Sequence, residues 1–118
     1  MARYSGIDKY ITLTTVAADD ATAGFVVPAG VVSITVFAPA LTTDTTFNIQ
    51  ILDPRTSGGG TETWSTLNIY DLADGTNKAL TDIPDTVAVM IMPVPNSCVL
   101  RFSYTTAQAQ TWLVIFHY

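Results

Sequence analysis

Charge, sulfur and basic residues are all scarce in this sequence of 118 residues. Only 13% of the chain is charged, against 48% hydrophobic, whereas a typical soluble domain carries about 25% charged residues. That composition excludes intrinsic disorder, and something other than charge has to cover part of the folded surface. A single cysteine, Cys98, excludes a disulfide within the chain. A single histidine, His117, cannot combine with Cys98 to furnish the three or four nitrogen and sulfur ligands of a zinc site. The five basic residues, Arg3, Lys9, Arg55, Lys78 and Arg101, are scattered, which excludes the clustered basic patch of a nucleic-acid binder. No apolar run approaches the ~20 residues of a membrane-spanning helix; the longest, Val87 to Val94, is interrupted by Pro93. No apolar stretch follows Arg3 as a secretory signal would require. The chain is expected to fold in a cytoplasm with Cys98 reduced. Helix formers are few as well, with one Glu and two Lys.

What is present is the vocabulary of strands. Thr is the most abundant residue, and Val, Ile, Phe and Tyr are plentiful; branched and aromatic side chains suit a pleated, half-buried surface. Tyr10 to Ala17 sets Ile11 and Leu13 against Thr12 and Thr14. Phe25 to Val27 is a short strand ended by Pro28-Ala29-Gly30. Val31 to Phe37 places Val32, Ile34 and Val36 on one face, and Thr46 to Leu52 places Phe47, Ile49 and Ile51 on one face. Glu62 to Tyr70 reads as a strand of uneven register, with a bulge or burial on two sides, because Trp64 falls on the opposite parity from Leu67 and Ile69. Asp74-Gly75 is a turn, and Thr76 to Leu80 a short edge strand. Ser97 to Thr105 alternates with Cys98, Leu100, Phe102 and Tyr104 in phase. Close spacing of strands without intervening helices predicts an all-β fold: a single antiparallel β-sandwich, jelly-roll-like, of about eight strands. Residues 10–118 form that domain, and residues 1–9 are an N-terminal arm.

Two further strands are apolar on both faces. Thr86 to Met92 sets Val87, Val89 and Ile91 against Ala88, Met90 and Met92. Trp112 to Tyr118 sets Trp112, Val114, Phe116 and Tyr118 against Leu113, Ile115 and His117. A sandwich needs only one inner face per sheet, and subunit interfaces are depleted in charge and enriched in aromatic residues and Met. Met90, Met92 and Trp112 are therefore the candidate subunit interface.

Residues for chemistry are sparse. His117 lies on the last strand, no Gly-x-Ser-x-Gly elbow occurs, and Cys98 is in phase with core positions. Asp71, Asp74 and Asn77 cluster oxygen donors without the spacing of a helix-flanked calcium loop, and Asp82 and Asp85 flank Pro84 as turn residues. No catalytic set, cofactor or metal site is expected. Trp64, Trp112 and Tyr70 could form a stacking platform for a sugar, which would make the chain a binding module.

Gly24-Phe25-Val26-Val27-Pro28-Ala29-Gly30-Val31, then Ser33-Ile34-Thr35-Val36, then Thr45 to Ile51 resembles a recurring segment of small jelly-roll virion proteins, the head decoration (cement) and accessory proteins of tailed bacteriophages. The resemblance spans roughly residues 24–70. Val-Pro-Ala-Gly also occurs in cupins, whose metal-binding histidines are missing here. The resemblance implies a virion structural protein that sits on the capsid surface, commonly as a homotrimer, and braces the major capsid protein after assembly in the host cytoplasm. The polar segment Ala2 to Lys9 would then serve as an arm reaching along a neighbour, with Arg3, Tyr4 and Ile7 as contacts. The alternative expectation is a carbohydrate- or receptor-binding β-sandwich module of a phage tail or fibre.

Overall fold

The computed structural model describes residues 9–56, 61–71, 73–86 and 88–118. Alternating residues give strands β1 (Lys9–Thr14), β2 (Phe25–Val26), β3 (Ser33–Phe37), β4 (Thr46–Leu52), β5 (Trp64–Thr66), β6 (Asn68–Asp71), β7 (Thr76–Ala79), β8 (Ile83–Pro84), β9 (Ala88–Ile91), β10 (Val99–Ser103) and β11 (Thr111–His117). A 3-10 turn covers Pro54–Thr56. Lys9, assigned to the arm by the sequence reading, is the first residue of β1 and pairs with Phe116.

The strands form two antiparallel sheets. The first has the order β1-β11-β3-β9 and the second β2-β10-β4-β5, with β8 added to the end of β4. β1 to β4 and β8 to β11 alternate between the sheets, while β5 pairs with β4 in the same sheet, so that each sheet interleaves elements from both ends of the chain. This order is the jelly roll, two Greek keys wrapped into a sandwich, and it bears out the expected fold class. The β6–β7 hairpin stands apart as an insertion between β5 and β9, turning at Gly75, whose φ of 69° suits glycine.

Burial of one face per sheet explains the period-2 pattern. Ile34 and Val36 from β3, Val114 and Phe116 from β11 and Ile91 from β9 meet Phe25, Phe47, Ile49, Leu100 and Phe102 from the second sheet. Trp112 lies among them with no exposed surface. Its ring stacks on Phe102 at 5.1 Å and takes Phe47 edge-on at 5.0 Å. Trp112 was expected at a subunit interface; it is the largest fully buried side chain and belongs to the core. The correction has a plain cause: β11 is central in its sheet, between β1 and β3, and its bulkier face fills the space between the sheets.

Two other expectations change. Val31 is buried and Val32 exposed, the reverse of the alternation read from the sequence, because the strand begins only at Ser33, after the turn at Gly30 with φ 87°. The single strand read through residues 62–70 is divided at Leu67 into β5 and β6. There the Leu67 N–H donates to Ile49 O and the Leu67 carbonyl accepts from Leu80 N, both near 2.9 Å. The main chain of Leu67 thus leaves β5 and turns into the hairpin.

Candidate assembly surface

The outer face of the first sheet is built from residues one step out of phase with the core. Strand registers place Tyr10, Ile115, Thr35 and Met90 in one row across the four strands, and Thr12, Leu113, Phe37 and Ala88 in the next. His117 and Ser33 begin a third. Tyr10, Met90 and Phe37 are 63%, 61% and 42% exposed, and Met92, just after β9, is 60% exposed. The described Asp, Glu, Lys and Arg residues all lie off these rows. Lys9, the one charge on these four strands, has the parity of Ile11 and Leu13, and its ammonium sits 5.3 Å from the Tyr118 ring. The face also carries His117, whose Nε2 is hydrogen-bonded to Thr35 Oγ1 at 2.7 Å.

The second sheet is more polar. Its outward positions are Thr46, Asn48 and Gln50 on β4, Trp64 and Thr66 on β5, Val99, Arg101 and Ser103 on β10, and Val26, 60% exposed, on β2. Arg101 Nε donates to Gln50 Oε1 at 2.7 Å, and its guanidinium lies 4.3 Å from the Trp64 ring centroid. Asn48 Oδ1 accepts the Asp82 N–H at 3.1 Å. Partial burial pulls the Arg101 guanidinium below its usual range, while Asp20 and Glu62 oppose that shift. The second sheet therefore wears a mainly polar outer face, as an antiparallel sandwich ordinarily shows to water, with apolar residues toward its β2 and β5 edges, and the first wears an uncharged one on which Tyr10, Met90 and Phe37 are exposed. Exposed large apolar side chains grouped on one uncharged face are a candidate interaction surface.

Of the candidate interface, Met90 and Met92 are on or beside the apolar face, and Trp112 is beneath it. Arg3, Tyr4 and Ile7 of the expected arm lie outside the described residues. Tyr10 and Phe37 were not singled out from the sequence, although each lies on the opposite parity from its strand's core residues, whereas Leu113 was read on the second apolar face of its strand. One large apolar residue per strand reads as incidental until the register aligns four strands.

The other residues with chemical potential have local partners. Asp74 Oδ2 pairs with Lys78 Nζ at 2.9 Å within the hairpin. Asp85 Oδ2 accepts the Leu41 N–H at 2.7 Å, fastening the loop before β4. Cys98 is half-buried and lines a cavity of about 140 Å³ with Leu52, Pro54 and Val99. The stacking platform for a sugar is not assembled from three rings, because Trp112 is in the core and Trp64 already carries Arg101 on its face. Among the described residues, no group of three or more His, Cys, Asp and Glu is placed to hold a metal ion, and no helix is long and apolar enough to cross a membrane.

Comparison of the chain with protein-family models, with curated proteins and with solved structures finds no match.

Proposed function

We propose that the chain is a virion structural protein, a capsid decoration subunit that works as a homo-oligomer. In this reading the outer face of the β1-β11-β3-β9 sheet packs against neighbouring protein subunits of the particle. The observation that carries it is the difference between the two sheets: one outer face is mainly polar and carries Arg101, and the other exposes Tyr10, Met90 and Phe37 around half-buried Leu113 and buried Ile115, with no described formal charge among them. A lone domain in water gains nothing from that arrangement, whereas a subunit in a shell removes the apolar area from water at about 25 cal/mol per Å² before association costs. The virion assignment adds the jelly-roll order of strands and the resemblance of residues 24–70 to phage head accessory proteins.

The mechanism is mechanical. Each contact is modest, and symmetry repeats it over the shell. Co-sedimentation with empty heads of its own virus tests the proposal, and a glycan array tests the competing binding module. Pelleting with heads, and no glycan signal that Trp64→Ala removes, is the expected pair of results. A chain that stays in the supernatant and binds a defined sugar through Trp64 overturns the proposal.

A further inference from the structure

A sheet edge offers a row of unpaired N–H and C=O groups, and most proteins blunt such edges with short strands, proline or charge. Three edges of this sandwich are blunted. β2 has two residues and runs into Pro28, β5 has three, and β9 has four and is followed by Pro93. The fourth edge, β1, is different. It has six residues, Lys-Tyr-Ile-Thr-Leu-Thr, without proline or glycine, and β11 is its one neighbour among the described strands. Tyr10, Thr12 and Thr14 are exposed, and Ile11 and Leu13 only half-buried.

The phase of the β1 hydrogen bonds follows from its end. Thr15 continues the β1–β11 register opposite Gln110, and its N–H donates to Gln110 O at 2.8 Å. Bonded and non-bonded pairs alternate along an antiparallel ladder. Leu13, Ile11 and Lys9 are thus bonded to β11, while Tyr10, Thr12 and Thr14 aim their N–H and C=O groups away from the sheet.

The geometry points to β1 as a strand-pairing edge for a second copy of this chain, antiparallel about a two-fold axis through Thr12. In that register Thr12 faces Thr12 of the other copy, and Tyr10 faces Thr14 on both sides of the axis. All three open residues of each strand are then used, giving six main-chain hydrogen bonds. On the inner face, Ile11 of one copy meets Leu13 of the other and each covers what is now half-exposed. The one charge in the strand, Lys9, faces Thr15 rather than its own copy. Shifting the register by two residues toward Lys9 loses a bonded pair, and shifting it by one would set Ile11 and Leu13 against the outer face. The paired sheet would have eight strands, and its uncharged outer face would run unbroken across both copies. This pairing does not depend on a virion role.

Cross-linking reads the register directly. In a Cys98→Ser background, Thr12→Cys places two cysteines at a bonded antiparallel pair, with Cα atoms about 5.5 Å apart, inside the range a disulfide spans. Thr14→Cys places them about 13 Å apart, four residues out of register at about 3.3 Å each. Mild oxidation should give covalent dimers of the first and not the second. Thr12→Pro should fold normally, because the lost N–H points away from β11, and should weaken self-association in sedimentation by about tenfold or more. Met90→Lys, on the outer face, should leave the Thr12→Cys cross-link intact, which separates this edge from the apolar face. Equal cross-linking of the two cysteine variants, no cross-linking of either, or wild-type self-association in a folded Thr12→Pro variant would overturn the proposal.

Discussion

Phe102 and Trp112 stack across the sandwich with ring centroids 5.1 Å apart and planes 22° apart, one ring from each sheet. Phe47 closes on both of them, edge-on to Trp112 at 5.0 Å and to Phe102 at 5.7 Å, and Tyr104 stacks on Trp112 from the loop side at 5.9 Å. The two sheets are held together by this aromatic cluster rather than by aliphatic packing alone.

Truncating the centre of that cluster should unfold the sandwich and not merely loosen an assembly. Trp112→Ala is expected to cost about 3–5 kcal/mol, read as a drop in the urea midpoint. Trp112→Phe should cost less. It keeps a ring, and it deletes the indole Nε1–H, which is buried without a hydrogen-bond partner and carries its own desolvation cost. A Trp112→Ala variant as stable as the wild type would contradict the position of Trp112 in the core.

Gly24 makes room for Trp64. A Cβ at Gly24 would lie 2.7 Å from Val99 Cγ1 and 3.0 Å from Trp64 Cη2. Val99 is β-branched and stiff, and Trp64 is held on its face by Arg101. Gly24→Ala should therefore destabilise by about 1–3 kcal/mol and displace Trp64, visible as a red shift in its fluorescence with Trp112 as the buried reference.

The Gln108 side chain ties the β3–β4 loop to the β10–β11 loop. Its Nε2 donates to Thr42 O and Thr106 O, and its Oε1 accepts from Thr42 N and Gln110 Nε2, all within 3.1 Å. Gln108→Ala leaves these buried or half-buried groups unpaired, at about 1–3 kcal/mol. Faster amide exchange at Thr42, beyond any global loss of stability, is the readout specific to this network.

Alkaline pH should weaken the fold through Tyr104. Burial pushes its phenol above the ordinary value of 10.0, and the carboxylates of Asp19, Asp20 and Asp44 push the same way, against a lowering hydrogen bond from Thr15. The folded chain then keeps a proton that the unfolded chain releases, so stability declines as pH rises past about 10 and is unaffected by this group below that. Tyr104→Phe should flatten that part of the curve in pH-dependent denaturation.

The sandwich was legible in the sequence where one face of a strand is buried and the other wet. Phe47 and Ile49 on β4, and Leu100, Phe102 and Tyr104 on and after β10, alternate as burial demands. β11 was not legible in this way, because a strand apolar on both sides has no preferred parity; its position between β1 and β3, which sends Trp112 inward, is a tertiary fact. The break at Leu67 was hidden for a similar reason: Leu67 and Ile69 share a parity, and the turn between them is set by main-chain partners at Ile49 and Leu80. Of the candidate surface, Met90 and Met92 were readable from their strand, while Tyr10 and Phe37 joined them only once the register aligned their rows.

The most direct test of the assembly role is co-sedimentation of the purified chain with empty heads of its own virus, wild type beside Met90→Lys. A lysine at Met90 puts a charge into the middle of the apolar face and, at an exposed position, should leave the thermal midpoint within a few degrees of wild type. The account predicts that the wild-type chain pellets with the heads and that the folded Met90→Lys chain stays in the supernatant. A wild-type chain left in the supernatant, or a variant that pellets equally well, would contradict it.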